Sequence, residues 1–262
     1  MPVDDATVQA FADQLAAATR DRRPVAQLSA QHPGLAVADA YRIQQATVTA
    51  RMAAGESVAG WKVGLTSRAM QEQLGVDEPD YAPILSGWLV ESGATIERDA
   101  LIAPRVEAEI GFVLGGALRG PGVTAQNVLD ATAGVCPTIE VIDSRIENWR
   151  LTLPDTVADM ASSARVVRAG PLTALDGLDL REIGVVLERG GDEVGRGTGA
   201  AVLGDPVAAV AWAANTLGAL GVTLQPGDLV IPGAMHASVA ASAGDEFTAR
   251  FDRLGSVVVR FR

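Results

Sequence analysis

The chain has 262 residues, 48% of them hydrophobic and 20% charged, with a formal net charge of -11 and a single cysteine, Cys136. Such a charge repels phosphate backbones and anionic membrane surfaces, so neither nucleic acid nor membrane is an expected partner, and a lone thiol excludes an intrachain disulfide. The opening Met1-Pro2-Val3-Asp4-Asp5 lacks the basic and apolar segments of a secretory signal, and no apolar run approaches a membrane span, so the expected location is the cytoplasm.

The first third carries helical periodicity. Asp5 to Ala18 spaces Val8, Phe11 and Leu15 at helical intervals, and Val37 to Ala54 repeats this with Ala40, Ile43, Ala46 and Ala50. Residues 20–33 between them are polar and punctuated by proline. Residues 1–57 are therefore read as a helical N-terminal lobe and residues 58–262 as a β-rich domain, an α+β class. Strands are expected at Val58–Leu65, Val106–Leu114, Thr138–Ile142, Arg165–Arg168, Gly184–Arg189, Leu229–Ile231, Phe247–Phe251 and Ser256–Phe261, each bounded by Gly, Pro or Asp. Two helices interrupt them. Thr124 caps one running through Ala133, and Asp205-Pro206, a capping residue followed by proline, opens another to Leu220 that stops at Gly221. Hairpins are expected at Arg189–Asp192 and near Asp252–Gly255. The Gly195-Arg196-Gly197-Thr198-Gly199 run lacks the spacing of a phosphate loop and reads as a hairpin or bulge.

Lys62 is the only lysine among 21 basic residues, the other twenty being arginine. Arginine serves any role that asks only for positive charge, whereas a desolvated lysine can release its proton near neutral pH. Position 62 is therefore a candidate acid or base, set against the alternative of an accidental survivor in a strand. In Arg105-Val106-Glu107-Ala108-Glu109, strand parity sends Glu107 and Glu109 to one face. Two readings stand: a solvated acidic face, or carboxylates neutralised by a hard divalent ion. Glu140, inside the apolar run Thr138–Ile142, is costly to bury alone and could join them in a magnesium or manganese site. Zinc is less suited, since His32, His236 and Cys136 are the only nitrogen or sulfur ligands and lie far apart in sequence.

Five runs in order resemble one family: Gly60-Trp61-Lys62-Val63-Gly64-Leu65-Thr66-Ser67, Gly75–Tyr81, Pro104–Glu109, Glu140–Ile146, and Asp155–Asp159 with Ala161-Ser162-Ser163. Together they are similar to the 2-keto-4-pentenoate hydratase and 4-oxalocrotonate decarboxylase family of the fumarylacetoacetate hydrolase superfamily. The resemblance implies a helical N-terminal segment on a mixed, rolled β-sheet core, which makes residues 58–262 the catalytic domain. It implies Mg2+ or Mn2+ held by Glu107, Glu109 and Glu140, acid/base roles for Lys62 and Asp80, and Ser162 near the substrate. Leu65, Arg145, Met160 and His236 are candidate substrate contacts, with ion-pair anchoring the alternative for Arg145 and a structural role the alternative for His236.

The implied reaction is hydration of 2-hydroxypenta-2,4-dienoate, or a close analogue, to a 4-hydroxy-2-oxo acid. Alternatives are decarboxylation of a 2-oxohexenedioate, a divergent tautomerase or carbon-carbon lyase, and a non-catalytic scaffold subunit. The expected partners are a small 2-oxo acid, further copies of the chain in a homo-oligomer, and an associated pathway enzyme. Two departures from the family pattern bear on the pocket. Ala82-Pro83 follows Tyr81 where the family carries glycine, so the segment carrying Asp80 is expected to be a loop of different shape, and Met160 follows Asp159 where an asparagine is usual.

Overall fold

The computed structural model describes residues 2–262, leaving aside the side chains of Ala69, Gln73 and Leu74. In chain order the elements are α1 (Asp5–Asp21), α2 (Leu28–Gln31), α3 (Val37–Ala53), β1 (Val58–Gly64), α4 (Arg68–Leu74), β2 (Asp80–Leu85), β3 (Leu89–Glu91), β4 (Ala94–Ile96), β5 (Arg105–Leu114), α5 (Ala125–Ala131), β6 (Thr132–Ile142), α6 (Leu153–Ala158), β7 (Ser163–Arg168), β8 (Gly184–Arg189), β9 (Asp192–Thr198), α7 (Pro206–Ala219), β10 (Leu229–Ile231), β11 (Val239–Ala240), β12 (Glu246–Phe251) and β13 (Gly255–Phe261). The helix starts follow local chemistry. Asp4 accepts from the Thr7 amide at α1, Thr124 and Asn127 close a capping box at α5, and Asp205 accepts from the Val207 amide ahead of Pro206 at α7.

Eight strands form a mixed sheet in the order β2-β1-β10-β5-β6-β7-β3, with β11 also paired to β5. The β1/β10 and β3/β7 pairs are parallel, and the others in this sheet are antiparallel. A second sheet runs β4-β13-β12-β8-β9. Alternate residues of β5 and β6, among them Ile110, Phe112, Ile139 and Val141, join Phe247, Val257 and Val259 of the second sheet and Val210 and Leu217 of α7 in one buried aliphatic cluster. The α+β class and the mixed, curled sheet are those expected.

Both expected hairpins are present: Arg189 pairs with Asp192, and Phe251 pairs with Gly255. The segment after Asp80 differs from the expected loop. Residues 80–85 form the buried edge strand β2, along which Pro83 pairs with Trp61. An edge position tolerates the missing N–H of proline, and Tyr81, Ile84 and Leu85 supply the apolar surface that makes a strand there favourable. A second cluster joins α1, α2 and α3 to Ile146, Val157 and Ala158 around α6. Asp155 of α6 accepts from the Ser29 amide at 3.0 Å and the Ser29 hydroxyl at 2.7 Å. Gln44 of α3 donates to the carbonyls of Tyr81 and Val157, both at 3.0 Å. The helices thereby brace the two segments that carry Asp80 and Ser162.

Candidate active site

Antiparallel register sets Glu107 of β5 directly opposite Glu140 of β6, and Glu109 lies two residues further along the same face. Oxygens of the three carboxylates lie within 4.8 Å of one another. Like charges directly opposed on a sheet destabilise it. Glu140 is fully buried; its Oε1 accepts from the Ser163 hydroxyl at 2.6 Å. Its Oε2 lies 3.0 Å from Lys62 Nζ but has no partner aligned as a hydrogen bond. Glu109 Oε2 accepts from the Gly233 amide at 2.7 Å.

Lys62 reaches this cluster from β1, two strands from β5, and donates to the Ala161 carbonyl at 3.0 Å. That carbonyl is presented by three consecutive left-handed residues, Met160, Ala161 and Ser162, between α6 and β7. Non-glycine residues held in this conformation carry strain that recurs at functional sites. Burial disfavours the ammonium, but Glu140, then Glu107, Glu109 and Asp80, outweigh it and hold the Lys62 pKa above its ordinary value. Lys62 thus stands among carboxylates that favour its charged form.

Burial pushes the other carboxyl groups upward. Glu107 rises to about 7, opposed by Lys62, and Glu109 rises well above its ordinary value, with Glu140 adding to the effect of burial. Asp80, fully buried at the start of β2 opposite Gly64, rises to about 6. Neither of its oxygens has a hydrogen-bond partner.

These groups line a cavity of about 640 Å3. Lys62, Leu65, Asp80, Glu107, Glu109, Ser162 and His236 all contribute to its wall, and Glu140 lies behind Lys62. Arg145 and Met160 are not brought to it. The Arg145 guanidinium is buried, paired with Asp159 and donating to the carbonyls of Asp143 at 2.8 Å and Ser163 at 3.0 Å. Met160 instead packs with Val48, Ala82, Leu85 and Trp88. His236 lines the wall, but both ring nitrogens are engaged by the backbone of Ala108 and Ala237.

Sequence reasoning did not single out Met70, Leu151 and Met235, which add apolar side chains to the wall. Nothing local marks them, since they are ordinary residues gathered by closure of distant segments. Arg105 could be placed by parity with Glu107. It lines the cavity with its guanidinium carbon 5.7 Å from the centre of the Trp149 ring.

Three clustered carboxylates facing the single lysine Lys62 suit a hard divalent cation, whose preferred ligands are oxygens and whose charge would offset theirs. Lysine and a buried, unsatisfied aspartate beside them place proton carriers at the same cavity.

Residues 61–262 match the fumarylacetoacetate (FAA) hydrolase C-terminal family model. The chain is 39% identical over 260 residues to a 2-hydroxyhexa-2,4-dienoate hydratase of Comamonas testosteroni, covering 98% of both chains. It is 42% identical over 250 residues to a 2-keto-4-pentenoate hydratase of Paraburkholderia xenovorans (strain LB400), covering 95% of this chain and 93% of the other. A solved 4-oxalocrotonate decarboxylase from Pseudomonas putida G7, complexed with magnesium and adipate, superposes with a TM-score of 0.96 at 37% identity, covering 99% of each chain. Carboxylate triad, curled sheet and full-length similarity agree, and the chain belongs to the fumarylacetoacetate hydrolase family.

Proposed function

We propose that this protein is a divalent-metal-dependent lyase of 2-oxo and 2-hydroxy unsaturated carboxylic acids, hydrating 2-hydroxypenta-2,4-dienoate or a close analogue to a 4-hydroxy-2-oxo acid. The observation that carries this reading is the Glu107, Glu109 and Glu140 cluster with Lys62 and Asp80 in one cavity. Glu107, Glu109 and Glu140 would hold Mg2+ or Mn2+. Bound there, the ion would supply Lewis acidity that stabilises negative charge on the C2 oxygen of a 2-oxo acid.

The chain's own groups manage the protons. Ketonisation of the dienol moves the hydroxyl proton to C5 and gives a 2-oxo-3-enoate; water then adds its oxygen at C4 and a proton is delivered at C3. Lys62 and Asp80, both on the cavity wall, carry the protons to and from the substrate. Ser162 and Leu65, both in left-handed conformations on the cavity wall, orient the substrate, and the apolar wall at Ile142, Trp149 and Leu151 excludes bulk water from its tail. Decarboxylation of a 2-oxohexenedioate is a second reading, favoured by the near-complete superposition on the Pseudomonas putida decarboxylase.

The test follows ultraviolet absorbance of 2-hydroxypenta-2,4-dienoate with Mg2+-loaded protein, identifying the product by mass. Metal-dependent loss of the dienol with gain of one water, slowed at least 100-fold in Lys62→Arg, is expected. An unchanged dienol, with the six-carbon 2-hydroxyhexa-2,4-dienoate also unchanged, refutes the hydratase, and release of carbon dioxide from a 2-oxohexenedioate then supports the second reading.

We assign residues 1–57 to a helical lobe and 58–262 to the catalytic domain, a division that limited proteolysis near residue 57 would reveal. No helix of the described residues is long and apolar enough to cross a membrane. A cytoplasmic homo-oligomer, associated with an enzyme that supplies or consumes its 2-oxo acid, completes the proposal; a monomer in light scattering would remove the oligomer.

A further inference from the structure

One edge of β5 is paired by β10 at Phe112 and Val113 and by β11 at Arg105 and Val106. Between these pairs, opposite the carboxylate cluster, residues 232–238 cross the edge as a loop. The Gly233 amide binds Glu109 Oε2 at 2.7 Å, and the Met235 amide binds the Ala108 carbonyl at 3.0 Å. The Ala108 amide, which lies between Glu107 and Glu109, finds its acceptor in a side chain: it donates to His236 Nε2 at 3.2 Å.

The tautomer follows. His236 Nδ1 lies 2.8 Å from the Ala237 carbonyl, which can only accept, so the ring proton resides on Nδ1 and Nε2 is free to accept. Burial lowers the pKa of the ring, in keeping with a neutral imidazole. The loop also has a prepared seat. A Cβ on Gly195 would stand 3.0 Å from His236 Nδ1, and one on Gly197 would stand 1.7 Å from the Met235 carbonyl oxygen. Glycines at 195 and 197 of β9 thus admit the loop against β5, which gives that glycine-rich run a physical role.

We propose that His236 is a positioning residue of the metal site: its imidazole replaces a missing strand hydrogen bond at Ala108, and so holds the Gly233 amide on Glu109. The same tether fixes Ser238, whose carbonyl accepts from Arg105 Nη2 at 3.2 Å on the cavity wall. His236 touches neither the substrate's reacting atoms nor the metal in this scheme. The inference rests on the reading of Glu107, Glu109 and Glu140 as metal ligands. Groups that orient ligands from behind typically contribute 10- to 100-fold in metal affinity.

The experiment measures Mg2+ affinity by calorimetry on folded wild-type protein, His236→Gln and His236→Leu. Glutamine restores an acceptor near the Nε2 position, whereas leucine fills the space without one. Affinity within about threefold of wild type for the glutamine variant and about tenfold weaker for the leucine variant is expected. Equal affinities for the two variants would overturn the inference while leaving the metal site standing; no Mg2+ binding by wild-type protein would overturn both. Nitrogen-15 resonances of the wild-type ring provide a readout independent of variant folding. A protonated Nδ1 and bare Nε2 are expected, and the opposite tautomer would exclude the Ala108 bond.

Discussion

Replacing Glu107 by glutamine should strengthen the metal-free fold while weakening the metal complex. Burial and the facing Glu140 oppose ionisation of Glu107, and its pKa moves from 4.5 to about 7 despite Lys62 nearby. A raised carboxyl pKa leaves stability intact below about 4.5 and removes it progressively as pH rises through 7. The full displacement corresponds to about 3 kcal/mol. Glu107 is only half-buried by surface exposure, so water recovers part of this and about 2 kcal/mol is the expected gain in Glu107→Gln at pH 8. For a chain of this size that is roughly 5 °C in melting temperature.

The assay is thermal unfolding in excess chelator at pH 8 and pH 5, repeated with Mg2+. At pH 8 the variant should melt higher than wild type, and at pH 5 the difference should shrink, because Glu107 is then largely protonated in the folded protein and only the unfolded state still ionises it. Saturating Mg2+ should reverse the order, since the wild-type site gains more binding energy. A chelated variant melting no higher than wild type at pH 8, or equal stabilisation of both proteins by Mg2+, would refute the electrostatic account of the cluster.

Two further outcomes follow from groups outside that cluster. At saturating Mg2+, kcat/KM should fall as pH drops through about 6, because Asp80 must be ionised to accept a proton and burial raises its pKa to that value; an acid limb near 4, or one that persists unchanged in residual activity of Asp80→Asn, would contradict this. Arg145→Met should destabilise the fold by about 3–5 kcal/mol in denaturant titrations, since it strands the buried Asp159 carboxylate, while Mg2+ affinity of the folded protein stays near wild type. A large loss of metal affinity with unchanged stability would place Arg145 in the site instead.

The contrast between Arg145 and Glu107 marks where sequence reading succeeds. Strand parity alone put Glu107 and Glu109 on one face, because side chains alternate on any extended strand whatever surrounds it. Helix caps at Thr124 and Asp205 and the hairpin at Gly190-Gly191 are likewise local, set by hydrogen bonds and backbone freedom within a few residues. Arg145 stands in a run that resembles site residues of the family, yet its guanidinium is consumed by Asp159, fourteen positions away, which no periodicity reveals.

The remainder needed the folded chain. β2 was hidden because its strand character depends on an edge position beside β1, where a proline costs little. The protonation of Lys62 is set by carboxylates arriving from three other strands, and composition reports the amine but not its neighbours. His236 meets Ala108 across 128 residues. Sequence by itself determined the chemical inventory and the local geometry of each element, since these depend on covalent structure and short-range sterics. Which groups share a cavity, which are neutralised by a partner, and which hydrogen bond completes β5 were decided by tertiary closure, because burial and electrostatic coupling depend on distances in space.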